Sequence, residues 1–295
     1  MIERIAILCI FAVAAAEAQT PRAGKNWHAM TAAPCAWSVP VQKKDGALDV
    51  DRTIALLKEA GFSCEIAVIS NGAPRTWDEF KKLAAAANTA GIDLWPVIIP
   101  PSEGSSPPFN HDYPAWAEAI AKLSLQFPHV RGFNIDDLHS GISTKTFTRD
   151  YVCQIYGAKQ KTNAKLLFVP TIYDLDKRVA DELAGCVDGV WLWWVNLEKA
   201  TGQRSFLENT KLAVSGRFPV YGGVYAHWTS WHKQGNPAPD VFKRSLENSC
   251  RYSDGAMIWN ISLDGPDPLF QIAKTFLPGG SSVLAGKCGQ SAGSE

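Results

Sequence analysis

Residues 130–137 read Val-Arg-Gly-Phe-Asn-Ile-Asp-Asp: a short apolar run that stops at two adjacent carboxylates. Helical patterns flank it at 113–127 and 147–163. A continuous apolar strand between two helices is the unit of a parallel sheet covered on both faces. The same unit recurs in both directions from here. β-type runs stand at 28–31, 65–69, 94–99, 131–136, 166–171, 189–195, 219–225 and 256–261. Helical patterns stand between and after them, at 51–60, 76–90, 113–127, 147–163, 178–184, 202–214, 240–248 and 268–276. Thr76 sits where a cap is wanted, and Gly61 and Gly91 sit where helices end. Eight strands alternating with eight helices predict an α/β fold, a single (β/α)8 TIM barrel over residues 19–277. A doubly wound open sheet is the rival. The count of eight disfavours it, as does the lack of a Gly-x-Gly-x-x-Gly turn after the first strand.

Beyond the barrel, residues 1–18 (MIERIAILCIFAVAAAEA) have a charged start, an apolar run and a small-x-small end at Ala16-Glu17-Ala18. That is the pattern of a signal peptide cleaved after Ala18, and the run is too short and Ala-rich for a membrane span. The expectation is a secreted or periplasmic protein with no membrane attachment after cleavage. Loss of Cys9 leaves Cys35, Cys64, Cys153, Cys186, Cys250 and Cys288. Six cysteines in an exported chain permit disulfides in fifteen pairings. Cys250 and Cys288 flank the last strand–helix unit and are expected to pair at the N-terminal face. Residues 278–295 form a Gly/Ser-rich tail, read as extended. Lys plus Arg number 29 against 29 Asp plus Glu, so no basic excess is available to neutralise nucleic acid. No Cys-x-x-Cys, P-loop or Gly-x-Ser-x-Gly motif occurs, and a monomer without a cofactor is expected.

Barrel chemistry sits on the loops after the strands. Asp136 and Asp137 leave the fourth strand on opposite sides, since strand period is two; one points into the barrel and the other curls over the rim. Two close carboxylates separate each other's pKa values, which suits glycoside cleavage. Asp137 is read as general acid and Asp136 as the neighbour that raises its pKa. The reverse stays open, because the register of the strand's last residue decides it. Glu198, ranked first for its reach, or Asp174 is the opposing base or nucleophile. Trp37, Trp194, Tyr225, Trp228, Trp231 and Trp259 fall at or just beyond strand ends, as candidate platforms for sugar rings. Asn71, Tyr173, His227 and Asn260 are candidate polar contacts.

The pattern Gly132-Phe133-Asn134-Ile135-Asp136-Asp137 resembles the fourth-strand end of (β/α)8 glycoside hydrolases near the spherulin-4-like polysaccharide hydrolases, where the strand ends in Asp-Glu. The likeness covers this motif and the strand–helix rhythm, and implies an oligo- or polysaccharide substrate. Family 18 chitinases carry a catalytic Glu where this chain has Leu138, which argues against their mechanism here. A second reading is a metal-dependent hydrolase. Asp136, Asp137 and His139, with His111 and Asp112, are potential ligands, and Ile135-Asp136-Asp137 resembles part of the Thr-Phe-Asp-Asp-Gly run of polysaccharide deacetylases. Those enzymes also need His-x-x-x-His, and His227 to His232 is one residue longer. The non-enzyme reading is a sugar-binding barrel. It holds if Glu103, Asp174, Glu198 and Asp264 all point away from the mouth.

Overall fold

The computed structural model describes residues 33–138, 145–227, 235–264 and 267–288. Its parallel strands are β1 (Cys35–Ser38), β2 (Cys64–Ile69), β3 (Asp93–Ile98), β4 (Gly132–Ile135), β5 (Leu167–Phe168), β6 (Thr171–Ile172), β7 (Val190–Trp194), β8 (Val220–Tyr225) and β9 (Ala256–Ile261). The helices are α1 (Val50–Ala60), α2 (Trp77–Ala90), α3 (Tyr113–Gln126), α4 (Arg149–Thr162), α5 (Lys177–Leu183), α6 (Gln203–Val214), α7 (Pro239–Tyr252) and α8 (Pro268–Lys274). Asp49, Thr76, Asp112, Thr148, Asp176 and Asp267 cap six of them, each accepting a hydrogen bond from a first-turn amide.

The strand order is β5-β4-β3-β2-β1-β9-β8-β7-β6. The two ends of that order, β5 and β6, are consecutive pieces of one extended segment, so the chain itself closes the ring. On one side, the amides of Leu167 and Val169 donate to the carbonyls of Arg131 and Phe133. On the other, the carbonyls of Phe168 and Pro170 accept from Asp188 and Trp191. Nine strand segments therefore make an eight-stranded (β/α)8 barrel. The sequence reading expects one uninterrupted strand at 166–171; Pro170, which has no amide hydrogen to donate, divides it.

The first strand is also displaced from its expected position. Residues 28–31 lie outside the described residues, and the strand that pairs with β2 and β9 is Cys35–Ser38. Its Cys-Ala-Trp-Ser sequence lacks the β-branched signature, so the strand reads as a loop until its neighbours are known. α7 runs to Tyr252, past the expected 248.

Alternation along the strands sorts two cores. Leu94, Ile98, Phe133, Ile135, Leu192 and Val224 pack outward against the helices. Cys35, Ile66, Trp95, Val97, Trp191 and Met257 fill the ring. Two glycines make this filling possible. A Cβ on Gly132 would lie 2.1 Å from the Trp95 ring, and one on Gly223 would lie 2.1 Å from Trp193. Disulfides join Cys35 to Cys64 inside the barrel, Cys153 to Cys186 and Cys250 to Cys288. The last ties the tail to α7, as expected.

One buried ion pair lies where the ring closes. Lys159 on α4 donates to the Asp188 carboxylate and, at 2.6 Å, to the carbonyl of Leu166. Asp188 also accepts from the Phe168 amide at 3.0 Å and from the Tyr156 hydroxyl at 3.1 Å. Both ionic side chains are essentially solvent-free.

Candidate active site

Gly132, Asn134 and Asp136 share the inward face of β4 and its continuation. Asn134 is fully buried; its Nδ2 donates to the Val169 carbonyl at 2.7 Å, across the gap between β5 and β6. That bond fixes the amide's orientation, and its Oδ1 accepts from the Thr171 hydroxyl at 3.2 Å. Thr171 also hydrogen-bonds Asp136. The Asp136 carboxyl is pushed up to about 8, by burial first and then by the charges of Asp137 and Glu103, with the Thr171 bond opposing the rise.

Asp137 reaches the same cleft by a different device. Its backbone is left-handed, with φ 47°, and its amide donates to Asp136 Oδ1 at 3.1 Å. That turn brings two consecutive side chains to one mouth, while Leu138 next to them is fully buried. The Tyr173 hydroxyl hydrogen-bonds the Asp137 carboxylate and is itself linked to Tyr225. Burial raises the Asp137 carboxyl and the Tyr173 bond opposes the rise. Its Oδ1 is buried and takes no hydrogen bond within the described residues.

Glu103 faces this pair from a short 3-10 turn, Pro101–Glu103, on the loop after β3. Its carboxyl is raised by burial and then by the charge of Asp137. The charge of Asp137 thus raises both of the other carboxyls.

These groups line a cleft of about 820 Å³ at the C-terminal mouth of the barrel. Its floor is aromatic. Trp193 and Trp259 each lie 5.3 Å, centroid to centroid, from Tyr225, and Trp37 lies 5.8 Å from Trp193. Asn260, also left-handed at φ 57°, closes one side. A second hollow of about 680 Å³ adjoins the first, and Ser70, Arg75, Ile99 and Glu103 belong to both.

Of the residues expected from sequence, Asp136, Asp137, Trp37, Tyr173, Tyr225, Trp259 and Asn260 come together in the cleft, and Asn71 lines the adjoining hollow. Glu198 and Asp174 are exposed and outside the cleft lining. Trp194 lies on the outward face of β7, because Trp193 takes the inward one; its Nε1 donates to the Lys199 carbonyl at 3.2 Å. His227 pairs with Asp267 at 2.7 Å and is not part of the lining. Asp264 is exposed and accepts from Ser262. His111 bonds the Gly104 carbonyl, and Asp112 caps α3. Trp228, Trp231, His139 and His232 lie outside the described residues. Arg75 and Trp193 line the cleft without having been singled out. Strand alternation counted back from Trp194 would have found Trp193.

Behind the cleft, Glu65 points out of the barrel from β2. Its Oε1 accepts from the Ser38 hydroxyl at 2.6 Å, while Oε2 is buried without a partner among the described residues. Burial pushes this carboxyl from 4.5 up to about 8. Between those values the unfolded chain has released a proton that the folded one keeps. Folding stability therefore declines as pH rises from about 4.5 to about 8, and is level above. Glu65→Gln is expected to melt several degrees above wild type at pH 9, with the advantage fading towards pH 4. Thermal melts of both across that range check this; a pH-independent difference would refute it.

No family model matches the chain, and no curated protein matches it. Solved structures do. A GH113 β-1,4-mannanase superposes with TM-score 0.59 at 12% identity, over 83% of this chain and 98% of that one. A GH27 β-L-arabinopyranosidase from Geobacillus stearothermophilus gives 0.60 at 10% identity, over 88% and 78%. An endo-1,4-β-mannanase from Rhizomucor miehei gives 0.56 at 9% identity, over 83% and 93%. The shared feature is the TIM-barrel fold.

Proposed function

We propose that this protein is a secreted glycoside hydrolase that cleaves an O-glycosidic bond in an oligo- or polysaccharide. One observation carries the reading: the Asp137 carboxylate shares an aromatic-floored barrel mouth with a second carboxyl, Glu103, that comes from a different loop and is raised by burial and then by the charge of Asp137. Glycoside cleavage needs such a pair, one group to protonate the leaving oxygen and one to act at the anomeric carbon. A sugar ring rests on Trp259 and Tyr225. Glu103, on the rim, delivers the proton. Asp137, oriented by Tyr173, is the base or nucleophile. Asp136 stays neutral beneath them; it holds the Asp137 amide and adds no second charge beside it. This moves the general-acid role expected of Asp137 to Glu103, and gives Asp137 the base or nucleophile role expected of Glu198 or Asp174. The barrel neighbours, which include mannanases and an arabinopyranosidase, support the same class of reaction on this scaffold. Three disulfides fit an oxidising compartment, and residues 1–18 supply the export signal in this reading. Among the described residues no helix is long and apolar enough to cross a membrane.

The test is a screen of purified protein against aryl glycosides and polysaccharides, with Glu103→Gln beside wild type. Loss of the acid is expected to cost about 10²–10⁴-fold on substrates with poor leaving groups. The loss should be far smaller on dinitrophenyl glycosides, whose leaving group needs no proton. Equal losses on both kinds would remove Glu103 from the role. Activity abolished by a chelator and restored by zinc would assign the site to metal chemistry instead.

A further inference from the structure

Arg75 lies on the saddle between the cleft and the adjoining hollow, and is the one cationic side chain among the described residues lining either. Its main chain is firmly held. The Arg75 carbonyl accepts from Ser70 at 2.7 Å, the Arg75 amide donates to Gly72 at 2.8 Å, and the next residue, Thr76, caps α2. Its guanidinium, by contrast, has no hydrogen-bond or ion-pair partner among the described residues, and burial lowers its proton affinity. Glu103 shares the saddle, yet its carboxyl is raised by burial and by Asp137, with no opposing pull from Arg75. No ion pair joins the two among the described residues, and Arg75 lines the open hollow as well as the cleft. A guanidinium with its donor fork unused is matched by a planar or tetrahedral oxyanion. The rest of the lining mixes apolar residues such as Val39, Ala73 and Ile99 with Gln42, Ser70, Asn71 and Ser105, which can bond hydroxyls, and Glu103 is its one acid. The charge of Asp137 makes the cleft centre unfavourable for an anion, which leaves the Arg75 end as the place where one is welcome.

We propose that Arg75 binds an anionic substituent, a carboxylate or a sulfate ester, on the sugar that occupies the adjoining hollow, so that the substrate is an acidic glycan charged one sugar away from the cleaved bond. The proposal rests on the carbohydrate reading of the cleft but makes a separate demand, on binding and not on turnover. It is tested by tryptophan fluorescence and calorimetric titration of wild type, Arg75→Met and Arg75→Lys. The uronate probes are D-glucuronate and oligogalacturonate; the sulfated probe is a carrageenan oligosaccharide; D-glucose and neutral galactan oligosaccharides are the controls. At least one acidic class is expected to bind wild type about ten- to a hundredfold more tightly than its neutral counterpart. Arg75→Met should erase that preference without lowering the melting temperature, and Arg75→Lys should keep part of it. Which class responds tells uronate from sulfate ester. Equal binding of acidic and neutral probes, a preference that survives in Arg75→Met, or no binding of any acidic probe overturns the proposal. Turnover of neutral glycans without acidic preference would remove Arg75 from this role and leave the hydrolase reading standing. Arg75-dependent acidic binding with no turnover of any glycan would do the reverse.

Discussion

Asp137→Asn is expected to lower turnover by about 10²–10⁴-fold while leaving the melting temperature close to that of wild type. Asparagine is nearly the same shape, keeps an oxygen for the Tyr173 hydroxyl, and is one of the few residues that accepts a left-handed backbone without strain. The substitution thus removes the charge and little else. Asp137→Ala should lose as much activity and also about 1–2 kcal/mol of stability, because alanine resists the φ of 47° found there. Kinetics and melts of the two variants side by side separate chemistry from conformation. Wild-type turnover in Asp137→Asn would end the proposed mechanism.

Asp188→Ala is expected to cost about 3–5 kcal/mol, the price of leaving one partner of a buried ion pair uncompensated. Lys159 would keep the Leu166 carbonyl but lose its counter-charge, and the Phe168 amide and Tyr156 hydroxyl would lose their acceptor. At this chain length that corresponds to a fall in melting temperature of roughly 10 °C. Denaturant titration of wild type, Asp188→Ala and the double variant Lys159→Met/Asp188→Leu checks it. The apolar pair should recover most of the loss, since it buries no charge. A loss under about 1 kcal/mol in the single variant would show that water replaces the carboxylate there.

Much of the barrel was legible because its strands are apolar on both faces and its helices carry caps, both of which are local signals. Trp191 and Leu192 face opposite cores, yet either alone marks a buried strand. The strand at Cys35–Ser38 was not legible: four residues with no periodic neighbours acquire a strand geometry only by pairing with β2 and β9. The same limit applied to the mouth. Residues that leave a strand in register, such as Tyr173, Tyr225 and Trp259, fell where alternation puts them. Glu103 depends on the path of a loop, and Arg75 on how that loop meets the one before α2, and neither path is written in a periodic pattern. Asp137 depends on a single left-handed residue, which converts the opposite faces implied by strand alternation into one shared cleft.

The three disulfides span 29, 33 and 38 residues, so each closes a loop on its own stretch of chain and none bridges the two halves of the barrel. In covalent terms the oxidised protein is a string with three small knots. A cut anywhere between Cys186 and Cys250 yields two polypeptides, one holding two cross-links and the other holding one, with no sulfur bond between them. Only strand pairing and side-chain packing would hold such fragments together, at the β1–β9 contact and at the cut. The oxidised barrel is thereby suited to reconstitution from two separately produced pieces, and a site opened in the loop between α6 and β8 leaves every described residue of the cleft at the barrel mouth uncut.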